Sequence, residues 1–232
     1  MIRQPSIELW GVVVQEPTTT FSDVILALLC FYFYWLIGRR LPAIRAIRFQ
    51  RYYFLFFGLG TLAGGILGHG FNYGFLDSMK LPGWSLSMIA AQWLAYGVLE
   101  ELREYWPKGR YVQVVWMHTI IGLGCLVFFL FSWNFLIPKL HAAYTMIGIV
   151  GLGHYFLFRM HGNRRSILYV LGVLPLIAMA FVFAQKWSIS VWFNQNDISH
   201  VLMGMASWAF FVGLMRWNSM PALQRRRVIS KG

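Results

Sequence analysis

Charge is scarce in this sequence. Lys and Arg number 20 and Asp and Glu only 8 in 232 residues, together 12%, about half the share usual in a soluble domain. With 58% hydrophobic residues and a mean hydropathy of +0.57, an ordinary water-soluble globule is excluded. Cysteine is almost missing: Cys30 and Cys125 both fall in apolar runs, which rules out a disulfide framework or a zinc finger. The first 20 residues contain Pro5, Glu8, Glu16 and Pro17 and no continuous apolar core, so no cleaved signal is expected. No internal repeat and no linker stands out, which argues for one domain and against a repeat-built transporter. The last apolar run, 197–216, has no lysine, and a retinal Schiff base is excluded with it.

Apolar runs are what is there. Runs of about 20 residues are long enough to cross a ~30 Å hydrocarbon layer as helices, and seven are expected, over about 21–38, 52–75, 84–102, 112–132, 140–158, 166–185 and 196–216. The expected fold is therefore an all-α membrane protein, a single seven-helix bundle over 21–217, with an arm at 1–20 and a basic tail at 218–232. Thr20 to Asp23 has the form of a helix start, and Pro175 predicts a kink. Basic residues crowd the connections after the first, third and fifth runs and the tail, whereas those after the second, fourth and sixth hold Lys80, Lys139 and Lys186. By the positive-inside rule the N-terminus is outside and the C-terminus cytoplasmic. The net charge of +12 then reads as topology and contact with anionic lipid head groups, with no nucleic-acid partner. The short connections suit a bacterial inner membrane.

Ionisable groups at membrane depth are costly, and they mark function. His69 lies among glycines in Gly64-Gly65-Ile66-Leu67-Gly68-His69-Gly70. His200 follows Asp197 by three residues in Phe193-Asn194-Gln195-Asn196-Asp197-Ile198-Ser199-His200, which places both on one helix face. The orientation puts His69, His141 and His200 in the outer half. Two imidazoles and a carboxylate make an adequate first shell for zinc with one position open; His141 is the candidate third imidazole. Glu8, Glu16 and Asp23 on the same side are candidates for calcium, competing with a plain helix cap and a solvated arm. His118 and His154 raise haem as a third reading.

These segments resemble the alkaline ceramidase-like branch of the CREST superfamily, which includes the progestin and adipoQ receptors. They are most similar to its uncharacterised bacterial members. The resemblance rests on the seven runs, on Glu16-Pro17-Thr18-Thr19-Thr20 through Asp23, on Gly64 to Phe71 and on Phe193 to His200. It implies a zinc-dependent hydrolase of a lipid amide or ester at the outer leaflet, with His69 and His200 as metal ligands and Asp197 or Asp77 as proton acceptor. Two departures stand out. Gly65 replaces the family's serine one turn before the first histidine, and Gln195 and Asn196 stand where a further histidine is expected. The alternative is a non-catalytic lipid-binding protein, or a subunit that assembles with partner membrane proteins on the same fold.

Overall fold

The computed structural model describes residues 4–72 and 77–219, without the side chains of Asp77, Asn218 and Ser219. The arm is not plain coil: β1 (Ile7–Leu9) and β2 (Val12–Val14) pair antiparallel, with Ile7 opposite Val14 and Leu9 opposite Val12. Trp10 and Gly11 join them with φ of 52° and 80°, the two positive values that a tight hairpin turn requires.

Seven helices follow among the described residues: α1 (Pro17–Arg40), α2 (Arg45–Gly70), α3 (Leu81–Leu102), α4 (Lys108–Ser132), α5 (Leu136–His161), α6 (Ser166–Gln185) and α7 (Gln195–Met215). α1 starts earlier than expected, because Pro17 occupies its first position, where a fixed φ and a missing N–H cost nothing; Thr20 is therefore not its cap. α2 also starts early, since the Arg45 to Arg51 segment is helical. Parts of α2 (Gly64–Gly70) and α5 (Tyr144–Gly151) are wound as π-helix, a local widening often found at functional sites. Pro175 lies inside α6 without ending it.

Six of these helices are long and apolar enough to cross a membrane; α3 is not among them. The chain is thus a multi-pass, essentially all-helical membrane protein. α3 is diluted by Pro82, Ser85, Ser87, Gln92, Glu100 and Glu101, and it is the most enclosed helix, with Ala90, Leu94, Ala95, Val98 and Leu99 at most 2% exposed. α6 pairs with α7, α7 packs along α1, α1 along α2, α2 along α3 and α3 against α5, which returns to α6. These six close a ring. α4 leans on α3 and the first turns of α5 and turns Trp116, Ile120, Leu123, Val127 and Phe131 outward, a helical stripe suited to lipid tails.

Close approach explains the tightest seam. A Cβ on Gly83 would stand 2.9 Å from Gly64 Cα, and one on Gly97 3.1 Å from Ala46 O, so α2 and α3 meet backbone to backbone, as small residues allow in membranes. The core beside it is aromatic: Phe33 stacks on Phe211 at 4.1 Å and meets Phe54 edge-on at 5.5 Å. At the end away from the arm, Arg165 pairs with Glu101, both at most 2% exposed. Glu101 also accepts from Gln50 at 2.7 Å, and Tyr169 donates to Gln50 at 2.5 Å.

Candidate functional site

The arm end of the bundle gathers the ionisable groups. His69 lies in the π-wound end of α2, and Glu16, immediately before α1, meets its Nδ1 at 2.5 Å. The backbone helps hold this register, because Gln15 N–H donates to Gly70 O at 3.0 Å. His200, one turn into α7, is held at both ring nitrogens. Asp23 Oδ1 lies 3.2 Å from Nε2, and Ser22 Oγ lies 2.8 Å from Nδ1. The two imidazoles stand edge to face with ring centres 6.4 Å apart. The spacing of His69 among glycines and of His200 at the opening of the last run does bring the two histidines together.

The glycines around His69 are there for α1. A Cβ on Gly65 would fall 2.6 Å from Asp23 Cβ, and one on Gly70 3.1 Å from Thr20 Oγ1. Without side chains at these positions the first turns of α1 can lie against α2, and Asp23 reaches across to α7. His200 is then about one tenth exposed and His69 about one fifth, enclosed yet reachable.

Asp197 has a different task from the one its spacing suggested. It closes a capping box at the start of α7, accepting from Asn194 N–H at 2.8 Å, while Asn194 Oδ1 accepts from Asn196 N–H at 2.8 Å. Both satisfy backbone donors that a helix start leaves unpaired. Gln4 donates to the same carboxylate at 2.7 Å and to Trp192 O at 3.0 Å, and its Oε1 accepts from Thr18 N–H at 3.0 Å. The arm is stitched to α1 and α7 at once. The acid on His200 is Asp23, whose place near the start of the first run reads from sequence as a helix-start signal. Ser22 and Gln4 carry no sequence signal of their own.

The other expected ligands lie elsewhere. His141 is buried in α5 and hydrogen-bonded through Nε2 to Gln92 of α3 at 3.1 Å. Asp77 opens a short helical turn before α3, and its side chain lies outside the described residues, as does the basic tail from 220 onward. The expected zinc shell is not assembled: both nitrogens of His200 are engaged, His141 is absent from the site, and among the described residues no three His, Cys, Asp or Glu side chains are grouped to hold a metal ion. Glu8, Glu16 and Asp23 do not converge on a cation either, since Glu16 serves His69 and Asp23 serves His200. His118 neighbours Tyr96 and Tyr144, whereas His154 stacks on Tyr169 at 3.7 Å and meets Ser166 Oγ at 3.1 Å. Those separate surroundings do not form a bis-histidine haem site.

Chemically, the arrangement can transfer protons. Each imidazole has its own acidic side chain, which steadies the ring, and His200 also has a hydroxyl on its second nitrogen. Thr20 Oγ1, Asn72 Oδ1 and Gln195 Oε1, all at this end, are buried without a protein partner, leaving hydrogen-bonding capacity for water or substrate.

The sequence profile of DUF6962, a family of unknown function, matches residues 18–219, and the chain belongs to that family. No curated protein and no solved structure matches it.

Proposed function

For this member of a family without an assigned function, we propose a membrane-embedded hydrolase of a lipid amide or ester that works at the arm end of the bundle. The observation that carries the reading is the pair of imidazoles 6.4 Å apart, His69 on Glu16 and His200 on Asp23. In this reading His200 is the general base and Asp23 orients it. With Nε2–H turned to an ionised Asp23, Nδ1 keeps the lone pair that takes a proton from the attacking group. His69, hydrogen-bonded to Glu16, protonates the leaving group. With His200 committed at both nitrogens, the imidazoles themselves carry these steps and none is assigned to zinc. The donor set likewise gives calcium and haem no role.

Lipid is the substrate class that fits the surroundings. Phe21 and Ile25 on α1 and Val201 on α7 are each more than half exposed, and Phe21 and Val201 adjoin Ser22 and His200 in sequence, so a substrate in the bilayer can approach along apolar faces. In this account α3 is the seventh crossing, the arm end faces outward by the positive-inside rule, and the setting is a bacterial inner membrane with its lipids as partners.

The test is fatty-acid release in proteoliposomes containing a panel of lipid amides and esters, for wild type, His69→Ala and His200→Ala. Loss of a general base or acid costs on the order of 10²–10⁴ in rate, so release should fall to background in both variants. Release that both variants retain would refute the assignment. No release by wild type, with normal folding, would favour a non-catalytic lipid-binding protein or a subunit of a larger membrane complex. Near-stoichiometric zinc in wild type that is missing from both variants would return the chemistry to the metal.

A further inference from the structure

We infer that Ser22 is the nucleophile of this site and that turnover passes through an acyl group carried on its Oγ. The inference rests on the hydrolase reading and deepens it. Ser22 and Asp23 are neighbours on α1, yet they grip His200 of α7 from opposite sides, Oγ at 2.8 Å from Nδ1 and Oδ1 at 3.2 Å from Nε2. Nucleophile, base and orienting acid in one line of polar contacts is the arrangement that activates a serine, whatever the fold or sequence order. Here the ring nitrogens are exchanged relative to the usual serine hydrolase, with Nδ1 toward the hydroxyl.

The proton's direction follows from the donors. In the reactive form Asp23 is ionised and can only accept, so Nε2 carries the hydrogen that faces it, Nδ1 carries the lone pair, and the hydroxyl donates to Nδ1. Ser22 Oγ has two further acceptors within reach, Thr19 O at 3.0 Å and Asp197 Oδ1 at 3.4 Å; His200 is the nearest of the three. The contact with Thr19 is the ordinary back-bond of a helical serine to the carbonyl three residues before it.

The steps balance. Ser22 Oγ attacks the lipid carbonyl and its proton passes to His200 Nδ1. The C–N or C–O bond to the leaving group breaks, and that group takes a proton from His69. Water then attacks the acyl-Ser22 ester and gives a proton to His69; the ester bond breaks, and His200 returns its proton to Ser22 Oγ. The products are a fatty acid and an amine or alcohol, and no oxidant, reductant or second substrate is needed.

A serine-directed fluorophosphonate tests this without knowledge of the natural lipid. It is added to the full-length protein in detergent and the adduct is located by peptide mass spectrometry, in parallel with fatty-acid release. The expected result is one phosphonyl adduct per chain, at Ser22, with labelling and release lost together in Ser22→Ala and labelling slowed about 10⁴-fold in Asp23→Asn, as when a triad's carboxylate is replaced by its amide. Labelling of wild type does not depend on how any variant folds. Release by wild type with no adduct at Ser22, or release that persists in Ser22→Ala, would overturn the serine while leaving the hydrolase reading standing. An adduct at Ser22 with no release from any amide or ester would support the serine and defeat the lipid assignment.

Discussion

Gly65 and Asp23 occupy one space: a Cβ on the glycine would lie 2.6 Å from the Cβ of the aspartate. Here the room is given to a carboxylate from α1, which reaches His200 at 3.2 Å. A side chain at position 65 should therefore act on the site before it acts on the fold. Overpacking costs about 1–3 kcal/mol, whereas displacing an orienting group by about 1 Å can cost on the order of 10² in rate. Gly65→Ser is expected to fold with a modestly lowered Tm and to lose most of its fatty-acid release. Full activity in that variant would show that Asp23 does not need its place against α2.

Gln4 makes a second prediction, because one side chain joins three segments. It donates to Asp197, Thr19 Oγ1 and Trp192 O, and accepts from the Thr18 and Thr19 N–H groups. Gln4→Ala removes a partner of a buried carboxylate, at about 1–3 kcal/mol. The arm should loosen: amide exchange over residues 7–16 is expected to quicken while the core of α2 and α3 keeps its protection. Unchanged exchange in the arm would contradict the stitching role.

How much of this was legible in sequence depends on what each residue must satisfy. His69 and His200 were legible because a histidine inside an apolar run is expensive and needs company, and the bundle does bring the two together. Asp23 is legible as one of few acids near the arm, but near the start of an apolar run it reads as a helix-start residue. Its real partner is 177 positions away and depends on how closely α1 meets α2. Asp197 misled in the opposite way: its spacing to His200 is as predicted, yet the backbone donors at the start of α7 claim it first. The third imidazole failed because helix rotation, which one sequence does not fix, turns His141 to Gln92. α3 reads in sequence as one more crossing; its polar residues keep it out of the six that are long and apolar enough on their own, and it is the most enclosed helix of the ring.

The buried pair at the opposite end gives a third prediction. Arg165 and Glu101 are nearly inaccessible. Burial works against the Arg165 charge, but the Glu101 carboxylate and the Tyr169 hydroxyl together more than offset it, so the guanidinium pKa sits above its ordinary value. Removing one partner strands the other, at about 3–5 kcal/mol. Arg165→Met and Glu101→Leu should each lower Tm in detergent far more than the arm variants do, and the double variant should recover part of the loss. A double variant no better than the worse single one would mean that packing around Trp217, over which Arg165 lies at 4.7 Å, matters more than charge.

The central claim, that the His69 and His200 end of the bundle hydrolyses a lipid acyl bond, is tested most directly by isotope. Proteoliposomes are incubated in water enriched in oxygen-18, and the released fatty acid is weighed by mass spectrometry. The account predicts one oxygen-18 atom in the carboxyl of fatty acid released by wild type, and none above background from His200→Ala. Fatty acid that appears without the label, or labelled acid formed equally by His200→Ala, would contradict it.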